Sequence, residues 1–173
     1  VECQTAQAQG RILANPVSAL RSNPPEANTA VDGYGFAYAG GAAGTQVLPL
    51  VAGRSAAGAP FAAKVPAGHA VRVLTGAALP DGVDTVVLDE DVTASATQIA
   101  FRGPLKRGAN TRQAGEDIVK GSEALPAGRL LTPADLALLS AVGCAQVPVR
   151  ARLRVAVLST GDELREVGQD AGS

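Results

Sequence analysis

Turn chemistry restricts this chain more than any other feature. Between Thr45 and Phe101, three clusters, Ala57-Gly58-Ala59-Pro60, Pro66-Ala67-Gly68 and Pro80-Asp81-Gly82, punctuate short apolar runs. The runs Thr45 to Val51, Ala70 to Leu74, Val83 to Leu88 and Gln98 to Phe101 have the length and β-branched content of strands. A small all-β unit, barrel or sandwich, is the expected outcome. Its polar continuation, Gly108 to Asp117, reads as a glycine-bracketed loop carrying Arg112, Glu116 and Asp117. Twenty Gly and eleven Pro among 173 residues stay below the quarter or more expected of a low-complexity chain. The apolar 46% is mainly Ala, Val and Leu, with two Tyr and three Phe, so the core should be aliphatic.

Flanking segments carry other signals. Ala6 to Leu20 reads as a helix stopped near Asn15-Pro16, and Arg21 to Asn28 as a connection held extended by Pro24-Pro25. Asp32-Gly33 reads as a tight turn, because Asp-Gly tolerates positive φ, leading into an aromatic strand. The clearest helix is Pro133 to Val142: Thr132 is N-cap, Pro133 lies at N1, Asp135 reaches back at N3, and Gly143 suits the C′ position. Val147 to Leu153 alternates with Pro148, Arg150, Arg152 and Arg154. This predicts a half-exposed edge strand whose arginines form a solvated face rather than an anion site. Leu153 to Leu158 is a β-branched run ending in Ser159-Thr160-Gly161-Asp162-Glu163, as a buried parallel strand does when it delivers polar groups to its carboxyl end.

The predicted fold class is therefore mixed α/β and strand-rich. A discontinuous scaffold, residues 1–31 and 122–152, carries an inserted β domain at 32–121, and a third, α/β domain opens at 153–173. Met is absent, so Val1 is read as lying inside a longer reading frame or processed product.

Several function classes recede. A net charge of −1 offers no basic stripe, and five aromatics cannot build a stacking platform, so nucleic acid is not an expected partner. No apolar run approaches the roughly 20 residues that span a bilayer, and the first residues lack a signal peptide's basic and apolar regions, so a cytoplasmic protein without membrane association is expected. Cys3 and Cys144 do not form a C-x-x-C pair and read as reduced thiols. The single imidazole, His69, sits at a turn, and no nucleophile elbow or P-loop is present.

Carboxylates beside glycines remain: Asp32-Gly33, Gly115-Glu116-Asp117 and Gly161-Asp162-Glu163. Hard cations such as Mg²⁺ are held by one or two carboxylates together with substrate phosphates, which such residues suit. Taken singly each also serves as a turn residue, and Thr75-Gly76 as a strand-ending turn. Asp89-Glu90-Asp91 reads as a solvated, mutually repelling strand end.

Six motifs in order carry a resemblance: Asn28-Thr29-Ala30-Val31-Asp32-Gly33-Tyr34, Arg72 to Pro80, Asp84-Thr85-Val86-Val87, Asn110 with Arg112 and Ala114 to Ile118, Leu131 to Asp135, and Leu158 to Leu164. The chain resembles the MoeA family of molybdopterin molybdenumtransferases and the related gephyrin E domain, over about residues 10 to 168. The resemblance implies an elongated, homodimer-forming scaffold with an inserted β domain, a doubly wound molybdopterin-binding domain cut short here, and a C-terminal β domain lying outside this sequence. It implies insertion of molybdate into adenylylated molybdopterin with Mg²⁺ and release of AMP, in molybdenum cofactor biosynthesis. A molybdopterin adenylyltransferase would be a partner. By motif position it implies catalytic roles for Asp32, Thr75, Asp117 and Glu163, with Asp32, Asp117 and Glu163 as metal ligands and Ser159, Thr160 and Gly161 as cofactor contacts. Tyr34 is followed by Gly35 where the family usually has Ala. Because such a cleft draws on other domains and a second protomer, this stretch alone is expected to be inactive. A non-catalytic oligomerisation module is the competing reading.

Overall fold

The computed structural model describes residues 1–41 and 43–168. Its largest element is a curled six-stranded sheet built from Gly33–Phe36 (β4), Gly44–Ser55 (β5), Ala70–Val73 (β6), Thr85–Leu88 (β7), Val92–Ala94 (β8) and Gln98–Gly103 (β9), in the order β7-β4-β6-β5-β9-β8. All pairings are antiparallel except β5 with β6. The expected apolar runs thus become neighbouring strands, and Ala56 to Ala59 closes one of the expected turns.

The part of this sheet formed by β4, β6 and β7 is buried on both faces. Tyr34, Phe36, Ala70, Val87, Ile99 and Phe101 form one cluster, with the Phe36 and Phe101 rings 5.2 Å apart. Val65, Val71, Val73, Val83 and Val86 form the other. The two-residue period of a strand sends Ala70 to one face and Val71 and Val73 to the other, and separates Val86 from Val87 in the same way.

A third cluster draws on both ends of the chain: Ala8, Leu13, Val17 and Ala19 pack with Leu125, Leu131, Leu139, Val142, Cys144, Val147 and Val149. Around it lie two antiparallel ribbons, Glu2–Gln4 (β1) with Gln146–Pro148 (β12), and Val17–Ser18 (β2) with Glu123–Leu125 (β11). The helix Pro133–Ala141 (α1) is the only α-helix among the described residues. It carries the expected capping box between Thr132 and Asp135, and Gly143 takes φ 87°. Arg21 closes its other end, donating from Nε to the Ala141 carbonyl (2.8 Å) and from Nη2 to that of Ser140 (3.2 Å).

Three expectations for the flanking segments fail here, and those for Asp89 and for a positive-φ turn at Asp32-Gly33 fail as well. Ala6 to Leu20 forms a single 3-10 turn, Thr5–Gln7, and then bridges and β2, because Ile12, Leu13 and Val17 find strand partners at Leu130, Val149 and Leu125. The Asn23–Pro24 peptide is cis where an extended polyproline run is expected. Residues 151–160 have no regular structure, and Leu153, Val155, Val157 and Leu158 are exposed, because a buried strand needs neighbours on both sides and no described strand supplies one. Of the expected third domain, residues 169–173 lie outside the described residues.

Candidate functional site

The rim of the sheet where β4 begins and β6 ends gathers the most concentrated polar chemistry. Asp32 immediately precedes β4, and Thr75 lies two residues beyond β6. Gly33 pairs with Val73, so the register brings Asp32 and Thr75 side by side. The Thr75 N–H and Oγ1–H both donate to Asp32 Oδ1, at 2.7 and 2.6 Å. These two hydrogen bonds hold the Asp32 carboxyl below its ordinary range, with a smaller contribution from the Arg72 charge. It is an ionised carboxylate with its second oxygen, Oδ2, outside that pair of bonds.

Arg72 is the one ionisable residue of β6 and lies 4.9 Å from the centre of the Tyr34 ring. Its guanidinium grips Asp89 through both carboxylate oxygens, with Nη2 to Oδ2 at 2.9 Å. The pairing raises Arg72 above its usual value and lowers Asp89, against which the negative charge of Asp32 acts in the opposite sense. The Asp89 N–H also donates to the Asp32 carbonyl (3.1 Å). Asp89 is thus a partnered residue inside the 3-10 turn Asp89–Asp91, where a repelling, solvated strand end is expected. Neither Arg72 nor Asp89 is among the site residues predicted from sequence, where a lone arginine in an apolar strand was the available signal.

A second polar cluster sits on Thr111–Arg112 (β10), which pairs with Asn28–Thr29 (β3). Arg112 donates to Glu116 Oε1 (3.0 Å) and to Asp117 Oδ1, and Asn23 Nδ2 donates to Asp117 Oδ2 (3.0 Å). The Arg112 hydrogen bond holds Glu116 below its ordinary range. β3 links the two clusters, because Thr29 also bonds through its backbone to Gly76 and Ala77 beside Thr75. On that strand the buried Asn28 Oδ1 has no donor among the described residues.

Of the residues predicted from sequence, the structure joins Asp32 with Thr75 and places Asp117 in a separate cluster with Arg112. Ser159, Thr160, Gly161 and Glu163 lie on an exposed, irregular segment, with the Glu163 carboxylate folded back toward its own Gly161. Among the described residues no group of three or more His, Cys, Asp or Glu side chains is gathered for a metal ion. No helix there is long and apolar enough to cross a membrane.

Comparison with known proteins identifies the family. Residues 1–143 match the family model described as MoeA N-terminal region (domain I and II). A molybdopterin molybdenumtransferase of Haemophilus influenzae is 42% identical over 165 residues, covering 94% of this chain and 40% of the relative. One from Synechococcus elongatus is 38% identical over 159 residues, covering 89% and 39%. The crystal structure of a molybdopterin biosynthesis moeA protein from Pyrococcus horikoshii OT3 superposes with a TM-score of 0.78 at 31% identity, over 87% of this chain and 40% of that one. The chain therefore spans about two fifths of the length of these relatives.

Proposed function

Because the chain belongs to the MoeA N-terminal-region family, we propose that it supplies the Asp32–Thr75 wall of a site where molybdate is inserted into adenylylated molybdopterin, with release of AMP, during molybdenum cofactor biosynthesis. The observation that carries this reading is the double hydrogen bond from Thr75 to one oxygen of Asp32. It fixes the carboxylate's orientation, keeps it ionised, and leaves Oδ2 for a ligand. A pyrophosphate linkage is itself anionic, so an ionised carboxylate beside it needs a cation between them.

Mg²⁺ fits here with a single carboxylate, because it keeps several waters and takes its remaining ligands from substrate phosphates. Asp32 Oδ2 would hold it, and it would offset charge on the pyrophosphate. Both oxygens of Asp117 are engaged by Arg112 and Asn23, so Asp117 acts in this reading through the shape of the adjoining loop. Arg72 and Asp89 position the residues around Asp32. Glu163 and the Ser159 to Gly161 amides join the site only with neighbours that hold their segment in place.

The proposed organisation keeps 1–31 with 122–152 as a dimer-forming scaffold, 32–121 as an inserted β domain and 153–173 as the opening of a molybdopterin-binding domain. The separation of the mixed-terminus core from the two sheet cores supports it. The test is molybdate-dependent AMP release from adenylylated molybdopterin by a chain of the relatives' full length that carries this sequence within its N-terminal region. Turnover that falls strongly in Asp32→Asn and in Thr75→Val is expected, and a folded protein without AMP release would refute the proposal.

A further inference from the structure

Arg150 and Arg152 belong to the arginine series expected to form a solvated face, but the fold brings a third arginine to them from the other end of the chain. Gly10, Arg11, Ile12, Arg150, Ala151, Arg152 and Leu153 line a cavity of about 240 Å³. Its two sides are tied together at Arg150. The Arg150 N–H donates to the Ile12 carbonyl (2.8 Å), and Arg11 Nη2 donates to the Arg150 carbonyl (2.8 Å). That second bond holds the Arg11 guanidinium against the cavity wall and leaves most of its N–H groups available. None of Arg11, Arg150 and Arg152 has a carboxylate partner within ion-pair distance among the described residues. By contrast Arg72, Arg107, Arg112 and Arg129 each hold an acid.

We infer that this cavity is a second anion site, separate from the Asp32 cluster, that takes a compact phosphate-class anion such as pyrophosphate or the phosphate end of a small molecule. Three arginines without acidic partners line this concavity and raise the local potential, and the planar fork of a guanidinium matches two phosphate oxygens. The size decides against a larger occupant. The cavity is smaller than the roughly 300–1,000 Å³ of pockets that enclose drug-sized molecules. An acidic protein surface would meet a broad face of about 800 Å² per partner, not a small recess.

The test is a titration of the 173-residue chain with inorganic pyrophosphate, followed by backbone amide NMR at low and at physiological salt. Saturable shifts are expected at Gly10, Ile12 and Ala151, with little change at Asp32 and Thr75. Arg152→Glu, at an exposed side chain with no hydrogen bond to lose, should weaken binding at least about tenfold. Arg11→Ala should do the same. Arg102→Ala, on the distant β9, should leave binding unchanged. The inference is overturned if no saturation occurs at low salt, if the shifts centre on Asp32 and Thr75, if Arg152→Glu binds as the parent does, or if hexaglutamate outcompetes pyrophosphate.

Discussion

A methyl group added at Gly33 would lie 1.9 Å from the Val87 carbonyl oxygen, a backbone atom fixed in the adjoining β7. The residue is glycine because two backbones approach there, and its φ is not in the left-handed region that Asp-Gly turns use. Gly33→Ala should therefore destabilise by more than about 4 kcal/mol, measured by denaturant unfolding. Gly10→Ala, with φ 72° and open space around it, should cost about 1 kcal/mol. Asp32 lies next to this constraint, and its side chain differs from a packing residue's: it is exposed, yet fixed by Thr75, which is what its proposed role requires. Asp32→Asn should leave the thermal midpoint of the chain nearly unchanged while abolishing AMP release in the longer protein. A large fall in thermal stability would assign Asp32 a structural role instead.

At the scale of elements, α1 shows how local chemistry defines an ending. Thr132 Oγ1 accepts from the Asp135 N–H (3.4 Å), Asp135 Oδ2 accepts from the Thr132 N–H (2.9 Å), and Arg129 Nε donates to Asp135 Oδ1 (2.9 Å). Thr132→Ala should cost about 1 kcal/mol in urea unfolding. Asp135 is buried, and its carboxyl is held below its ordinary value first by Arg129 and then by Thr132. A depressed folded pKa means the contribution is complete above the unfolded value of about 3.9 and disappears as pH falls through the folded value. Asp135→Asn should thus be less stable than the parent at pH 7, and the gap should close on acidification below about pH 4. A gap that stays constant down to pH 2 would show that the carboxylate charge is not involved. This helix was legible in the sequence because its capping, Pro133 and Gly143 signals all lie within twelve residues. The expected helix at Ala6 to Leu20 was not, because strand partners more than a hundred residues away overrode a weak local preference.

For the molecule as a whole, the arrangement of cores matters most. Leu139 is fully buried in the cluster that joins residues 3–19 to 118–149, whereas Phe101 belongs to the sheet. Leu139→Ala should cost about 2–5 kcal/mol. If 32–121 is a separate unit, hydrogen exchange in that variant should accelerate in α1, β2 and β11 and leave β4 and β6 protected. Uniform acceleration would mean one cooperative unit. The sequence by itself determined the strands between Thr45 and Phe101, the capped helix and the family, because turn clusters, caps and ordered motifs act over a few residues. Only the tertiary structure decided that Asp32 meets Thr75, that Arg72 holds Asp89, that Arg11 joins Arg150 and Arg152, and that Leu153 to Leu158 stays unpaired. Those outcomes depend on register and on partners distant in the chain, and contacts across 17 to 139 residues leave no periodic trace in the local sequence.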